Sequence, residues 1–235
     1  MKKKIDLTFL LLIVVATFST AQAIKEFNNK DNWQKDFVVN PSELNSIGEN
    51  DFFNLNPGHQ ITLLGKDGRD FIKLVITVLK ETKLVDGCTT RIVEEKETKN
   101  NVLIELSKNY YAIDPGTKDV YYFGENVDIY ENDKIVSHKG SWESGKDGAK
   151  FGLIMPGKIQ TGKRYYQEQA PRIAMDRAEI ESINETVITP TMTYKNCIKI
   201  KVTTPIDPKT EEYKYYVKGL GLVQDGNLLK VKNRK

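Results

Sequence analysis

The chain has 235 residues, with 35 lysines and arginines against 32 aspartates and glutamates and a formal charge of +3 at pH 7. A charge this close to balance argues against nucleic acid as a partner, because binding to phosphates needs a basic surface. The length fits one large all-β domain better than two small ones, since β barrels and sandwiches often exceed about 200 residues as single units.

The first 23 residues have the pattern of a secretory signal peptide. Three lysines at positions 2–4 precede an apolar run over residues 7–18, and Ala21-Gln22-Ala23 supplies the small residues of a cleavage site. The run is too short to span a bilayer, and no later apolar run approaches the roughly 18 residues of a membrane helix. We therefore expect a mature chain that begins at Ile24, has no transmembrane segment and is periplasmic or secreted.

The next segment, residues 24–50, is polar and rich in asparagine. Its large apolar residues are few, chiefly Trp33 and Phe37. Such a composition predicts a poorly ordered N-terminal arm that lies over the domain. The β-rich domain is then expected to cover residues 51–235.

From residue 51 onward, apolar and polar residues alternate and turn residues interrupt them. Asp86-Gly87 is the strongest hairpin signal, because both residues adopt positive φ at low cost. The predicted strands cover residues 71–79, 89–97, 102–112, 120–124, 134–138, 163–169, 174–183, 196–204, 212–217 and 222–231. Many short strands without alternating helices predict an all-β fold, a single antiparallel meander sheet curved into a half-open barrel.

A long loop over residues 140–162 is predicted near the middle of the chain, and loops of this length are often functional. It contains Trp142, Phe151 and Met155, which would form a flap over the barrel and contact an apolar ligand. Tyr122 and Tyr166 come from tyrosine pairs, in which a strand directs one ring to each face, and they are the candidates for the interior. The alternative is that the apolar residues of the loop complete the core.

The usual catalytic motifs are missing: the sequence has no nucleophile elbow, no P-loop and no zinc-protease pattern. Carboxylates can still act as general acids or bases, because burial and neighbouring charges tune them. The candidate cluster is Glu143, Glu168 and Asp176. The alternative is that these residues are solvated charges matched by nearby lysines and arginines.

The two cysteines, Cys88 and Cys197, leave two interpretations open. A disulfide is permitted in an exported chain, and closing a loop of about 100 residues would stabilise the fold by about 4 to 5 kcal/mol. Two separate thiols fit equally well, because the sequence does not show that the Cα atoms approach each other. The histidines, His59 and His138, are distant from both cysteines in sequence, so we predict no metal site and no cofactor.

Short motifs along residues 51–223 resemble a family of secreted bacterial proteins of unassigned activity. At two positions the chain departs from the resemblance, because Arg172 stands where glycine is expected and Lys218 where proline is expected. The motifs are Asn56-Pro57-Gly58, Tyr121-Tyr122-Phe123-Gly124-Glu125, Gly140-Ser141-Trp142-Glu143, Asp147-Gly148-Ala149, Ile154-Met155-Pro156, Gln167-Glu168, Ala170-Pro171, Ala178-Glu179, Asn196-Cys197, Thr204-Pro205 and Glu212-Tyr213-Lys214-Tyr215-Tyr216 ahead of Gly219-Leu220-Gly221-Leu222-Val223.

The last of these motifs, a tyrosine-rich strand followed by a glycine-rich turn, also resembles the final hairpin of periplasmic lipoprotein carriers with a half-barrel sheet. That resemblance implies a concave apolar face able to hold a lipid or other hydrophobic molecule. We therefore expect an exported protein that binds a hydrophobic or amphiphilic ligand in the concave face of its sheet. An envelope or extracellular interaction protein that uses the polar arm is the first alternative, and a carboxylate-dependent hydrolase is the second.

Overall fold

A computed structural model describes residues 32–231 of the chain. The predicted signal peptide and the start of the predicted arm lie outside the described residues. From Gln34 onward the chain belongs to one compact unit, so the second half of the arm and the β-rich domain are described together.

The described chain folds almost entirely into β-strands, with a single 3-10 turn at Pro41–Glu43. Alternation of buried and exposed side chains along the strands gives the sheet two distinct faces. The strands are β1 (Gln60–Asp67), β2 (Asp70–Val85), β3 (Cys88–Lys99), β4 (Val102–Ile113), β5 (Val120–Glu131), β6 (Lys134–Ser137), β7 (Trp142–Glu143), β8 (Lys150–Met155), β9 (Arg164–Tyr166), β10 (Glu168–Gln169), β11 (Arg177–Ile188), β12 (Thr193–Thr203), β13 (Glu211–Val217), β14 (Gly221–Asp225) and β15 (Leu228–Lys230).

These strands form one antiparallel sheet that is nearly closed into a barrel, as the sequence predicted. Its order is β10-β8-β5-β4-β3-β2-β1-β15-β14-β13-β12-β11-β9, and β6 and β7 also pair with β5. Most neighbours in this order are neighbours in sequence, because tight turns join them. In the β2–β3 turn, Asp86 and Gly87 have φ values of 48° and 76°, the positive angles that this type of turn requires.

A six-residue segment, Arg164–Gln169, joins the two edges of the sheet. Its first half, β9, pairs with β11 at one edge, and its second half, β10, pairs with β8 at the other. One residue, Gln167, separates the two halves. We call Arg164–Gln169 the closing segment, because it converts an open sheet into a barrel.

The structure corrects several predicted boundaries. The region 140–162 is not a free loop, because it contains β7 and β8, and both pair with β5. The Asp225-Gly226 turn divides the single predicted strand 222–231 into β14 and β15. A strand that the sequence analysis missed, β1, pairs with the first part of β2. Its polar residues and glycine weakened the signal.

The described part of the arm is docked on the barrel, so the expected poor order is wrong for this part. Asn45 exchanges two backbone hydrogen bonds with Ile113 at the end of β4, with N–O distances of 2.9 and 2.8 Å. Gln34 forms a parallel bridge with Tyr165 in the closing segment. The buried guanidinium of Arg91 donates to the carbonyl of Ser46 at 2.9 Å. These hydrogen bonds hold the arm together with a few apolar contacts, chiefly Leu44 in the core and Phe37 against the ring of Tyr121.

No helix within residues 32–231 has the length and apolar character needed to cross a membrane.

Gly152 of β8 is expected to be essential for barrel closure. A Cβ at this position would lie 2.3 Å from the carbonyl oxygen of Gln167 and 2.7 Å from that of Tyr166, so the backbone of the closing segment would have to move. Gly152→Ala should therefore lower the free energy of unfolding by about 1–3 kcal/mol, the usual cost of overpacking. Urea denaturation measures this change.

The matched control is Gly116→Ala, since a Cβ there meets only an Asp114 side-chain oxygen at 3.3 Å. An equal loss of stability in both variants would contradict the importance of the contact at Gly152.

Candidate functional site

A cavity of about 90 Å³ lies on the concave face of the sheet. Its lining comes from strands far apart in sequence, β1 to β4, β8, β13 and β14, together with residues 52–59 that precede β1. The apolar part of the lining, which we call the apolar wall, includes Ile61, Ile76, Val78, Val93 and Leu222. The polar and charged part, which we call the polar wall, includes Glu95, Tyr111, Lys214, Tyr216 and Asp225. The two parts adjoin, because Val93 and Glu95 lie two residues apart on β3 and so share one face.

Strand register explains why charged residues reach this face. Residues directly opposite each other on neighbouring strands share a face of the sheet. Glu95 lies opposite Ser107, and Glu97 lies opposite Glu105. On the next pair of strands, Asn109 lies opposite Glu125. The alternation that places Val93 in the core therefore also directs a row of carboxylates inward.

Burial changes the ionisation of these carboxylates. It raises the pKa of Glu95 to about 7, with Lys214 opposing the change and Asp225 supporting it. It also raises the pKa of Glu125 to about 7, and the charge of Glu95 adds to this effect. The pKa values of Glu97 and Glu105 are raised for the same primary reason, the loss of hydration of the charged form.

Lys214 is the cation of this wall. Its ammonium lies 3.1 Å from a carboxylate oxygen of Asp225. The charge of Asp225 raises the pKa of Lys214, even though burial opposes that change. Lys214 therefore stays protonated, and Asp225 compensates its charge. The other carboxylates on this face also interact with Lys214, but the charge of Lys214 is already balanced by Asp225.

The predicted carboxylate cluster is brought together in part. The backbone N–H of Glu168 donates to the carbonyl of Asp176 at 3.1 Å. Burial, followed by the charges of Asp176 and Glu125, raises the pKa of Glu168 well above its usual range. Burial also raises the pKa of Asp176. Glu168 and Asp176 therefore belong to one electrostatic group with Glu125, a residue that sequence reasoning did not select.

Glu143 does not join this group. It lies on β7 next to Trp142, so its side chain points to the other face, where it forms ion pairs with Lys83 and Lys146. Burial opposes the change, but the hydrogen bonds from Lys146 and Lys83 lower the pKa of Glu143. For this residue the interpretation as a charge matched by lysines was the correct one.

The five predicted ligand-contacting residues occupy different places, and none of them is among the residues that line the central cavity. Trp142 packs edge-on against Tyr122, with ring centroids 5.4 Å apart, and both side chains are buried. Met155 is fully buried, and Phe151 stacks on Phe123 at 4.8 Å. Tyr122, Trp142 and Met155 belong to the main hydrophobic cluster, and Phe151 packs against it.

Tyr166, the fifth of these residues, lies in the closing segment. Its side chain is buried, and the ammonium of Lys35 in the arm lies 5.4 Å from its ring centroid. From the predicted flap region, Ile154 is the residue that reaches the cavity wall. The residue of β8 that lines the cavity is therefore one position away in the sequence from Met155, the residue that we selected.

A second concavity, a groove of about 490 Å³, lies between β7 and the turn at residues 170–173. Glu125, Trp142 and Arg172 are among its lining residues. Arg172 has a φ of 68°, a conformation that favours glycine, which the resemblance led us to expect there. Glu125 therefore lies beside an open groove and also within the electrostatic group of the interior.

Cys88 and Cys197 are separate thiols, the second of the two interpretations that the sequence left open. Cys88 starts β3 and belongs to the main core. Cys197 lies on β12 in a smaller cluster with Val187, Tyr194 and Val223. The two thiols therefore lie in different apolar clusters. Burial raises the pKa of Cys88 to about 12 and also raises the pKa of Cys197.

Within residues 32–231, no set of three or more histidine, cysteine, aspartate or glutamate side chains is arranged to hold a metal ion. His59 lines the cavity at the end formed by residues 52–59. His138 lies beside Asp128, and its Nδ1 is 2.8 Å from a carboxylate oxygen of Asp128.

No family model, curated protein or solved structure matches this chain. The resemblance to secreted bacterial proteins therefore stays a prediction.

Both thiols are expected to resist alkylation in the folded protein and to react fully in denaturant without a reductant. The physical reason is burial, which removes access and disfavours the reactive thiolate. Intact-mass spectrometry after iodoacetamide treatment measures the number of labels. Failure to label either cysteine in denaturant would indicate a disulfide and contradict the structure.

Stability should rise as the pH falls from about 7 toward 5, the reverse of ordinary acid denaturation. The pKa of Glu95 and of Glu125 is about 7 in the folded state against 4.5 for an unperturbed glutamate. Below the lower value both states bind the proton and the full stability is present. As the pH rises toward 7, the unfolded chain loses the proton first, which costs up to about 1.4 kcal/mol per pH unit for each group.

Urea denaturation across this pH range measures the slope of the free energy of unfolding against pH. Glu95→Gln should reduce it, whereas Glu143→Gln should leave it in place, because Glu143 has a lowered pKa and ion pairs on the other face. A stability that rises steadily from pH 5 to pH 7 in the native sequence would contradict the assignment.

Proposed function

We propose that this protein binds a small amphiphilic molecule in the concave face of its sheet. The observation that carries the proposal is a cavity whose lining combines apolar side chains with charged and hydroxyl groups. Ligand sites in proteins combine mostly apolar linings with a few polar groups that fix orientation. The apolar end of the ligand would lie against Ile76, Val78 and Val93, and its polar end would face Glu95 and Asp225.

The charge of the polar wall favours a cationic end on the ligand. Lys214 has Asp225 as its partner, and burial raises the pKa of Glu95 even though Lys214 opposes that change. Burying such a group is costly unless something compensates it. An ammonium group would supply the missing positive charge and hydrogen-bond donors.

The size of the cavity favours a short ligand. About 90 Å³ holds several water molecules or a few heavy atoms, and typical sites for larger ligands measure roughly 300–1,000 Å³. A complete lipid exceeds this space in the structure. The ligand class that fits best is therefore a short alkylamine or the amine-bearing end of a longer molecule.

The proposed location of the protein follows from the signal-peptide pattern of the first 23 residues. A basic start, a short apolar run and a small-residue site support export, so we propose that the ligand is bound in the periplasm or outside the cell.

Binding should discriminate by charge at equal length. n-Butylammonium is expected to bind at least about tenfold more tightly than butanoate at pH 7, because the cavity wall has more carboxylates than cations. Isothermal titration calorimetry measures both affinities. Glu95→Gln should reduce the discrimination without unfolding the barrel.

A cavity-filling variant tests the location of the ligand. Val93→Leu adds volume at the apolar wall and should weaken binding of n-butylammonium, whereas Val102→Leu adds the same volume at an exposed position and should not. Equal affinity for the amine and the carboxylate, or equal effects of the two valine variants, would overturn the proposal.

A further inference from the structure

The outer face of β1, β2 and β3 combines lysines with apolar side chains. Alternation buries Leu74 and Val93 on the inner face and leaves Lys73 and Lys96 exposed on the outer one. Strand register then sets lysines directly opposite apolar residues. The pairs are Lys66–Phe71, Leu64–Lys73 and Val75–Lys96, and we call these six residues the basic face.

Two apolar residues of the basic face are left largely uncovered. Phe71 is 62% exposed and Leu64 is 42% exposed. The ammonium of Lys66 lies 4.8 Å from the ring centroid of Phe71, so an exposed ring carries a cation beside it. Apolar residues with adjoining lysines are typical of surfaces that lie at a lipid–water boundary, because the stem and ring enter the apolar layer while the ammonium stays at the headgroups.

The charges of the three lysines have no internal partner. Within residues 32–231, none of the ion pairs includes Lys66, Lys73 or Lys96. The outer face of β12 differs, because Lys199 there lies 2.8 Å from a carboxylate oxygen of Glu181. The lysines of the basic face therefore remain available to an external anion.

The neighbouring carboxylates leave this positive charge in place. Glu94, the next acidic residue of β3 on the outer face, lies directly opposite Lys108 of β4. Asp67 and Asp70 lie opposite each other beside the β1–β2 turn, where alternation assigns them to the inner side. Asp70 is also 2.8 Å from the ammonium of Lys99. The basic face itself contains no carboxylate.

The basic face also has a place for a phosphate group. Lys73 and Lys96 both line a shallow groove of about 320 Å³, together with Val75, Thr98 and Asn101. Two ammonium groups on one groove supply several hydrogen-bond donors, and charge-assisted hydrogen bonds to phosphate are among the stronger ones.

The position of these strands selects the kind of partner. β1, β2 and β3 each have a neighbouring strand on both sides, so they offer no free edge for an added peptide strand. A partner must be recognised by the side chains of the outer face alone. Lysines without carboxylate partners, set among exposed apolar residues, match a layer of anionic headgroups above acyl chains.

We propose that the basic face docks the barrel on an anionic lipid bilayer. Phe71 and Leu64 enter the boundary between headgroups and acyl chains, and Lys66, Lys73 and Lys96 contact lipid phosphates. This proposal does not depend on the ligand of the cavity, which lies on the opposite face of the sheet.

Fluorescence of the full chain locates the contact. A Leu64→Cys variant is labelled with the environment-sensitive dye nitrobenzoxadiazole, and labelling is selective because Cys88 and Cys197 are buried. The emission should shift to the blue with vesicles of phosphatidylcholine and about 30% phosphatidylglycerol, and should not shift with phosphatidylcholine alone.

The matched control for the dye is Ile173→Cys, at a position that is 48% exposed. It follows β10 at the closing segment, whereas β1 and β2 lie at the middle of the sheet order, so the two dyes are on different sides of the barrel. The emission of the Ile173→Cys dye should not change.

Vesicle co-sedimentation of the full chain measures the role of charge. Lys73→Gln/Lys96→Gln should lower the partition coefficient for the anionic vesicles at least about tenfold, because each lysine near such a surface contributes roughly fivefold. Lys195→Gln/Lys209→Gln makes the same change in net charge at exposed positions outside the basic face and should lower it less than about twofold. A ratio between variants cancels what the rest of the chain contributes.

Three results would overturn the proposal. They are the lack of a shift at position 64 with anionic vesicles, an equal shift at position 173, and equal losses in the two double-lysine variants. Binding to poly-glutamate that depends on Lys73 and Lys96, without binding to vesicles, would assign the basic face to an acidic protein and also exclude the bilayer. Each result is distinct from failure of alkylamine binding, which calorimetry measures without lipid.

Discussion

The structure depends on the junction of two sheet edges by a six-residue segment. A curved antiparallel sheet exposes unpaired N–H and C=O groups at both edges unless something covers them. Here β9 pairs with one edge, β10 pairs with the other, and Gln34 of the arm covers the outer side of β9. The absence of a side chain at Gly152 lets the segment approach β8. The concave face exists as an enclosed interior only because this junction forms.

Closure creates an electrostatic conflict in that interior. Apolar side chains such as Val78 and Val93 gain stability from burial, while Glu95 and Glu168 on the same enclosed face lose hydration. The Lys214–Asp225 pair resolves part of the conflict, because each charge has an opposite partner. For Glu95 and Glu125, burial raises the pKa to about 7, which favours the neutral form. A ligand with a positive charge would resolve it in a different way, by placing a cation beside these carboxylates.

The fold was largely predictable, because strand periodicity and turn chemistry are local. Alternation in residues 71–79 and the Asp86-Gly87 turn predicted β2 and its hairpin with β3, and the structure has both. Trp142 and Met155 were also recognised as apolar anchors in an otherwise polar region. The sequence left two roles open for them, contact with a ligand and completion of the core, because pairing of β7 and β8 with β5 involves residues that neither segment contains.

The candidate site was less predictable. Glu168 and Asp176 were selected from their sequence neighbourhood and do lie together. Glu95 and Lys214 were missed, because a charged residue at every second position of a strand ordinarily indicates a solvent-facing side. The sequence did contain a signal, because Glu95 lies two residues from the apolar Val93 and therefore shares its face of the strand. A charged residue on the same face as an apolar one indicates that polar groups reach the interior.

The sequence by itself determined the strands, the tight turns and the antiparallel fold class, because these follow from side-chain alternation and from the backbone angles of a few residues. It also determined which residue types were available for chemistry, chiefly carboxylates rather than histidines. Only the tertiary structure decided which face became the inside, that Cys88 and Cys197 belong to separate clusters, and that Glu125 joins Glu168 and Asp176. These outcomes depend on curvature and closure of the whole sheet, which bring together residues that no local pattern relates.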